Sequence, residues 1–230
     1  MKPHAGQPLA SAGAPLGKSP VALIMVHGRN AAPANILSLV PSFGRPDLTY
    51  LAPAAAGGTW YPLSFMAEKE KNEPGLSSAQ WVLDQLVRHV VDSGVRKDRI
   101  VLLGFSQGAC LSAEFAASHA DRYGGVVLYS GGLIGPPGTT WNYSGSFGGT
   151  PIFLGCSDVD AHVPKTRVDE SAAVFQRMGA TVTERIYPGM GHLVNDEEIA
   201  FTRTLLSDLL SAPGNTRETP PPRTRTGSTD

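Results

Sequence analysis

Short, nearly continuous apolar runs alternate with longer segments of helical periodicity through most of this chain, and this alternation constrains the fold most. The runs are VALIMV, TYLA, RIVLLGF, GGVVLYS, PIFLG and TVTERIY, at 21–26, 49–52, 99–105, 124–130, 151–155 and 181–187. Strands covered on both faces have such runs, whereas the alternating TVTERIY is typical of a sheet edge. Strands that alternate with helices form βαβ units. We therefore predict an α/β fold, with a mostly parallel central sheet and helices on both faces.

Three helices are predicted between the strands. The first spans 77–92, with Gly94 as its stop and an apolar stripe of Val82, Leu86, Val87, Val90 and Val91. The second spans 164–178 and ends at Gly179. The third begins after Asn195, whose side chain is a favourable N-cap, with three acidic residues in the first turn.

The ends of the chain differ in composition from residues 21–211, which we expect to form a single domain. Residues 1–20 are rich in Ala, Gly and Pro and predict a loose segment, with an edge hairpin at 7–16 as an alternative. Residues 212–230 hold Pro, Thr and Arg with almost nothing apolar, which predicts a disordered tail.

Charge and cysteine content exclude several classes of protein. The formal net charge is −1, which gives no electrostatic reason to expect nucleic acid or an anionic membrane as a partner. The longest apolar run is too short to span a bilayer, and the first residues lack the apolar core of a signal peptide. Two cysteines do not make a disulfide framework in a chain of 230 residues. A cytoplasmic protein with reduced thiols is the expectation.

The pattern G-x-S-x-G at 104–108 lies directly between a predicted strand and a helical segment. A nucleophile elbow requires this strand-turn-helix setting, and its glycines let strand and helix backbones approach closely. Ser106 is therefore the candidate nucleophile. The alternative is a serine that only caps the helix.

A serine nucleophile needs a histidine base and a carboxylate that orients it, in the chain order Ser, Asp or Glu, His for this fold. His192 lies in a glycine-rich loop after the last strand, and the chain order selects it over His162. The loop after PIFLG offers Asp158 and Asp160, and on this reasoning either could be the acid. The alternative for both is capping the helix that begins near 164.

Two backbone amides are candidates for binding the developing oxyanion. One is the N–H of Gln107, directly after the nucleophile, and the other is the N–H of Arg29 in the loop after VALIMV. The chain has no His-x-x-x-His, His-Glu-x-x-His or paired-cysteine spacing, so we expect neither a metal nor a cofactor.

Six segments in order resemble the phospholipase/carboxylesterase family of α/β hydrolases, which includes the acyl-protein thioesterases. They are His27-Gly28, Ala52-Pro53 with Thr59-Trp60-Tyr61-Pro62, Gly104-Phe105-Ser106-Gln107-Gly108, Ser130-Gly131-Gly132, Asp160-x-x-Val163-Pro164 and Gly191-His192. The resemblance implies a Ser-Asp-His triad whose acid is Asp160. It implies a catalytic domain at 21–211, closer to bacterial small-ester carboxylesterases than to the thioesterases. Arg29-Asn30 departs from the small or apolar residues often found after His-Gly, so the pocket is expected to differ there.

Two irregular excursions are candidates for the substrate pocket. Residues 57–75 carry Trp60, Phe65 and Met66, and residues 133–149 carry Leu133, Ile134 and Trp141; packing within the loops is the alternative for all six. Neither excursion is long enough for a separate lid domain. We expect an open site for small or medium acyl groups.

The leading function is a serine carboxylesterase acting on a small-molecule ester. A thioesterase for acyl-protein or acyl-CoA thioesters is the first alternative, and a non-catalytic binding module with the same fold is the second. The oligomeric state stays open, with a homodimer as one alternative.

Overall fold

The computed structural model describes residues 2–212. Of the tail predicted at 212–230, residues 213–230 lie outside the described residues. In this described part of the chain, seven strands form one sheet in the order β1-β3-β2-β4-β5-β6-β7, parallel throughout except for β1, which runs antiparallel to β3. The strands are β1 (Leu9–Gly13), β2 (Ala22–Val26), β3 (Thr49–Pro53), β4 (Ile100–Phe105), β5 (Gly125–Tyr129), β6 (Pro151–Ser157) and β7 (Thr181–Tyr187). The predicted α/β architecture and the edge position of TVTERIY are confirmed.

Six α-helices within residues 2–212 connect and cover the strands. They are α1 (Pro33–Leu37), α2 (Val40–Phe43), α3 (Gly75–Asp92), α4 (Gln107–Ser118), α5 (Lys165–Arg177) and α6 (Asp196–Ser211), with short 3₁₀ turns at Ala56–Gly58, Lys69–Asn72 and Lys97–Arg99. No helix within residues 2–212 is long and apolar enough to cross a membrane.

Two apolar cores lie on the two faces of the sheet. Alternate residues of β2 point to opposite sides: Ala22 and Ile24 join the core beneath α3, α4 and α5, whereas Leu23 and Met25 join the core beneath α2 and α6. All five residues of β2 are buried. Two-sided burial explains why the central strands are continuous apolar runs rather than alternating ones.

The first twenty residues are not a loose segment, which corrects the prediction. β1 is a single edge strand rather than a hairpin, and it pairs with β3 over five residues. His4 is buried, and both of its ring nitrogens have partners. Nε2 donates to the Trp60 carbonyl at 2.8 Å, and Nδ1 accepts the Ala56 amide at 3.0 Å. Local composition could not reveal these contacts, since every partner lies more than 35 residues away in the chain.

The predicted helices are present, with two corrections to the first. α3 begins at Gly75 rather than at 77, and Val91 is exposed while Leu83 is buried in the apolar stripe. The Asn195 cap of α6 is confirmed, because Asn195 Oδ1 accepts the Glu198 amide while Glu198 Oε2 accepts the Asn195 amide. Within residues 2–212 neither excursion forms a separate lid.

Candidate active site

The turn between β4 and α4 places Ser106 above the carboxyl edge of the sheet. Ser106 has φ 55° and ψ −122°, an uncommon conformation for a residue with a side chain, and its N–H donates to the Tyr129 carbonyl of β5 at 2.9 Å. The two glycines make the turn sterically allowed. A Cβ at Gly104 would lie 2.4 Å from the Gly108 carbonyl oxygen, and one at Gly108 would lie 2.1 Å from the Val26 carbonyl oxygen.

The structure brings Ser106, His192 and Asp160 together in one hydrogen-bonded chain. His192 Nε2 lies 2.8 Å from Ser106 Oγ, and His192 Nδ1 lies 2.7 Å from Asp160 Oδ2. A proton on Nδ1, donated to the carboxylate, leaves Nε2 as the acceptor of the serine hydroxyl hydrogen. The three residues follow β4, β6 and β7, so parallel strands deliver them to the same edge of the sheet.

Asp160 is held as a carboxylate. Its side chain has no solvent exposure, and its Oδ1 accepts the amides of His162 at 2.8 Å and Val163 at 3.0 Å. Burial acts to raise the pKa of Asp160, but hydrogen bonds from the His192 ring and these two amides outweigh it and hold the pKa below the usual range. Neither Asp160 nor Asp158 caps α5, whose N-cap is Pro164 without a side-chain bond.

Two residues of the acid loop also hold the loop that carries His192. Asp158 Oδ1 accepts the Gly189 amide at 2.8 Å. The buried Ser157 hydroxyl donates to the Met190 carbonyl and accepts the Val159 amide. Sequence reasoning did not identify Ser157, and its position at the end of a strand was the available signal.

The predicted oxyanion donors are the backbone amides of Gln107 and Arg29, and both residues line one cleft with Ser106. Gln107 is the first residue of α4, where backbone N–H groups have no intrahelical acceptor. Arg29 follows Gly28, and a Cβ at Gly28 would come within 3.5 Å of Ser106 Cβ. Burial lowers the pKa of His27, which as a neutral ring donates to the Gly28 carbonyl and accepts the Ala55 amide.

The side chains of Gln107 and Arg29 both hold the segment 60–63. Gln107 Oε1 accepts the Trp60 amide at 3.0 Å and Gln107 Nε2 donates to the Tyr61 carbonyl at 2.8 Å. Arg29 donates from Nη1 to the Pro62 carbonyl at 2.8 Å and from Nη2 to the Leu63 carbonyl. The wall of the site is thus fixed by the same two residues whose backbone amides are the candidate oxyanion donors.

An open cleft of about 850 Å³ contains Ser106 and His192. Its apolar lining comes from α1 and its flank, from the excursion at 57–75 and from the residues after the histidine. These residues are Ile36, Leu39, Pro62, Leu63, Phe105, Leu193 and Val194; the polar lining includes Arg29, Asn30, Asn35, Ser64, Gln107 and His162. Leu63 and Leu193 line the cleft and are 44% and 47% exposed as residues, so apolar surface faces the open cleft.

None of the six residues predicted for the pocket lines this cleft, and that prediction is corrected. Trp60 is fully buried, with its ring between His4 and His27. Phe65 and Trp141 pack against the Arg167 guanidinium. Leu133 and Ile134 are buried as well, and Met66 packs against the same core.

Arg167 explains this inward packing. Its side chain is 2% exposed and donates to the carbonyls of Leu133 and Gly135 at 2.8 Å each. A buried cation needs such acceptors and favourable ring faces, so both excursions fold around it. Within residues 2–212 no cluster of His, Cys, Asp or Glu could hold a metal ion.

Comparison with known proteins places the chain and its fold in one family. The profile of the phospholipase/carboxylesterase family matches residues 16–210. A phospholipase/carboxylesterase from Dyadobacter fermentans has 35% identity and a TM-score of 0.85, over 90% of this chain and 99% of that one. The carboxylesterase of Bacillus cereus, at 17% identity and a TM-score of 0.72 over 89% and 95% of the chains, shares the fold.

Among curated relatives, acyl-protein thioesterase 1 of Gibberella zeae is 29% identical over 60% of this chain. The match spans 61% of that relative's length. Acyl-protein thioesterase 1 of Saccharomyces cerevisiae is 25% identical over 74% of this chain and 79% of its own. The chain belongs to the phospholipase/carboxylesterase family of α/β hydrolases and is an enzyme of the serine-hydrolase type.

Proposed function

We propose that this enzyme hydrolyses carboxylic esters of small or medium acyl groups, with Ser106 as nucleophile, His192 as general base and Asp160 as the acid of the triad. The observation that carries the proposal is the continuous hydrogen-bonded chain, 2.8 Å from Ser106 Oγ to His192 Nε2 and 2.7 Å from His192 Nδ1 to Asp160 Oδ2. These distances lie within the reach required for proton transfer.

In the first half-reaction Ser106 Oγ attacks the ester carbonyl carbon while its proton passes to His192 Nε2. The imidazolium that forms is stabilised by the Asp160 carboxylate. The C–O bond to the alcohol then breaks, and the departing oxygen takes the proton from His192. The product is an acyl-enzyme with the acyl group on Ser106 Oγ.

In the second half-reaction a water molecule replaces the alcohol. His192 takes a proton from the water as its oxygen attacks the acyl carbon, and the Ser106 oxygen leaves with that proton. The carboxylic acid is released and the serine is restored. In both halves the backbone N–H groups of Gln107 and Arg29 donate to the oxyanion.

The cleft supports small or medium acyl groups. Its apolar residues, among them Ile36, Leu63 and Leu193, line an opening of about 850 Å³ that stays accessible to solvent. Burial of each methylene against such residues stabilises binding by about 0.8 kcal/mol. An open wall limits how much of a long chain can be covered.

A trapping experiment tests the nucleophile. A fluorophosphonate should add its phosphonyl group to Ser106 with loss of fluoride, and peptide mass spectrometry should locate the adduct there. The Ser106→Ala variant should stay unmodified and lower kcat for p-nitrophenyl butyrate by a factor on the order of 10⁶. A variant that keeps a tenth of the wild-type rate would refute the assignment. Equal circular dichroism spectra would establish that the variant is folded.

The thioesterase alternative is favoured by the curated relatives, several of which are acyl-protein thioesterases. The same triad would serve, since a thiolate can leave in place of an alkoxide. A parallel panel of aryl esters and acyl-CoA thioesters, acetyl to palmitoyl, distinguishes the two. Higher kcat/KM on thioesters of matched acyl length would replace the proposed substrate class.

The proposed location of the protein rests on the state of its cysteines, and its proposed partner is the substrate. Both cysteines, Cys110 and Cys156, are free and buried, which suits a reducing compartment such as the cytoplasm. A small-molecule ester is the proposed partner. A homodimer remains an alternative to a monomer, and its test is the mass of the protein in solution.

A further inference from the structure

The Arg29 side chain is a fixed cation in the wall of the cleft that contains Ser106. It lines the cleft and is exposed, and its two terminal nitrogens donate to the carbonyls of Pro62 and Leu63. Both acceptors are neutral. The guanidinium is therefore held in one orientation while its charge is not neutralised by its partners.

Four other arginines within residues 2–212 have carboxylate partners. Arg45, Arg88, Arg96 and Arg167 each contact an aspartate or glutamate at 2.9 Å or less. Among residues 2–212, Arg29 forms no ion pair within 4.0 Å, and no residue that lines the cleft is acidic.

The Asp160 carboxylate does not supply the missing charge. Its side chain is fully buried, and its oxygens accept bonds from His192, His162 and Val163. The surface of the cleft thus offers a positive group without a negative one. A guanidinium has five N–H donors, so two bonds to carbonyls leave donors for a further acceptor.

The order of strands decides which part of an ester Arg29 faces. Arg29 follows β2, which lies on one side of β4 and its Ser106, whereas His192 follows β7, on the other side of β4 beyond β5 and β6. The alcohol oxygen must lie near His192 Nε2 to receive its proton. The acyl part is bonded to the other side of the carbonyl carbon, so we take it to extend toward the side of Arg29.

We propose that the Arg29 guanidinium binds an anionic group, in the simplest case a carboxylate, on the acyl part of the substrate. This inference rests on the ester-hydrolase function proposed above. The preferred substrates are then half-esters of short dicarboxylic acids, with the free carboxylate bound by Arg29 and the ester carbonyl at Ser106. Arginine suits this role because its planar fork matches a carboxylate.

Matched substrate pairs test the inference. Mono-p-nitrophenyl esters of succinic, glutaric and adipic acid are compared with the same esters in which a neutral carboxamide replaces the free carboxylate. Non-enzymatic hydrolysis is subtracted with Ser106→Ala protein as the blank. For at least one chain length the carboxylate should have about tenfold higher kcat/KM than its amide, which corresponds to about 1.4 kcal/mol. The preference should shrink in 0.5 M NaCl because salt screens an exposed charge.

Substitution of Arg29 separates recognition from support of the wall. Arg29→Met should remove the preference, Arg29→Lys should retain part of it, and Arg88→Met, on the exposed face of α3, should leave it unchanged. Equal rates on acid and amide in the wild type, at all three lengths, would overturn the inference. A preference for the acid over the amide that survives in Arg29→Met would overturn it too. An equal loss of kcat/KM on both members of each pair would also overturn it, since that result would mean that Arg29 only supports the wall.

A binding measurement keeps this inference distinct from the proposed function. Monomethyl adipate and its neutral amide are titrated into Ser106→Ala protein by calorimetry, with and without Arg29→Met. Binding of the acid about tenfold tighter than the amide, lost in the double variant, supports the anion site even if no ester is turned over. Equal affinity of acid and amide rejects the site, while Ser106-dependent hydrolysis of neutral esters would leave the esterase function standing.

Discussion

The Asp158 carboxylate accepts a hydrogen bond from the Gly189 amide at 2.8 Å, while Asp160, two residues later, contacts the His192 ring at 2.7 Å. Two aspartates of one loop therefore bind the same neighbouring loop: Asp158 binds its backbone, and Asp160 binds the imidazole ring that it carries. Only the second contact can govern the tautomer of the ring.

Substitution by asparagine should separate the two aspartates. Asp160→Asn should lower kcat on the order of 10⁴-fold, because the neutral amide does not stabilise the imidazolium and its NH₂ can donate to Nδ1, which favours the tautomer with the proton on Nε2. Asp158→Asn should cost far less, since its amide oxygen can still accept the Gly189 N–H. Steady-state ester hydrolysis measures both, and the reverse ranking would mean that the acid is misassigned.

Two histidine rings lie 4.8 Å apart at the mouth of the site, and only His192 contacts Ser106. His192→Ala should lower kcat by a factor on the order of 10⁶, as loss of the base does in triad enzymes. His162→Ala should keep most of the activity, because its ring borders the cleft without a hydrogen bond to the serine. A dead His162→Ala beside an active His192→Ala would contradict the proposed base.

Leu63 and Met66 lie three residues apart in one excursion, but only Leu63 lines the cleft. Leu63→Ala should lower kcat/KM for hexanoyl relative to acetyl esters about fivefold, which matches a loss of about 1 kcal/mol of apolar contact. Met66→Ala should leave that ratio unchanged. The two ratios are measured on one panel of p-nitrophenyl esters. If Met66→Ala changed the ratio and Leu63→Ala did not, Met66 rather than Leu63 would contact the acyl group.

Gly108 packs against the backbone of β2 without space for a side chain. A Cβ there would lie 2.1 Å from the Val26 carbonyl oxygen, so Gly108→Ala should destabilise the fold by about 3 kcal/mol and displace the elbow. Gly191→Ala is the control, because its added Cβ would meet only Leu193 Cδ2 at 3.8 Å. Urea unfolding measures both, and equal midpoints would refute the steric argument.

Glu198 carries a buried carboxyl group behind the loop of His192. Its side chain is unexposed and Oε1 has no partner within the described chain, although Oε2 accepts the Asn195 amide. Burial raises the pKa of Glu198 to about 7. A folded pKa above the unfolded one means that the unfolded chain binds fewer protons, so stability falls as pH rises from about 4.5 to about 7.

Glu198→Gln should remove this pH dependence. The variant keeps an oxygen that can accept the Asn195 N–H but cannot ionise. Its free energy of unfolding relative to the wild type should rise by about 2 kcal/mol between pH 5 and pH 9. Urea titrations at the two pH values measure the difference. Parallel curves for both proteins would mean that Glu198 ionises in the folded state as readily as in the unfolded one.

The positions of Ser106 and His192 at one edge of the sheet could be predicted because each follows a strand. Once 99–105 and 181–187 are recognised as parallel strands, their carboxyl ends must meet at one edge, and few serines and histidines lie there. The acid was harder, because Asp158 and Asp160 occupy the same loop and differ only in the direction of their side chains. That direction depends on two amides at His162 and Val163 that fold back on Asp160.

The cleft residues could not be predicted in the same way. Trp60, Phe65 and Trp141 are large and lie in irregular segments, which suggested a pocket, but their partners His4, His27 and Arg167 are distant in the chain. Residues such as Leu63 and Leu193 carry no pattern that separates them from ordinary loop leucines. Strand β1 escaped prediction for a similar reason, since its partner β3 supplies the hydrogen bonds that define it.

His192, the proposed general base, follows the strand at the margin of the sheet. Within residues 2–212, β7 pairs only with β6, and its residues are exposed or half-buried. Residues 100–104 of β4, by contrast, are all buried between neighbouring strands. Opening of the margin costs less free energy than opening of the centre. Amide protons of β7 should therefore exchange with solvent before those of β4. On warming, the enzyme should lose its hydrolytic activity while most of its secondary structure is still intact.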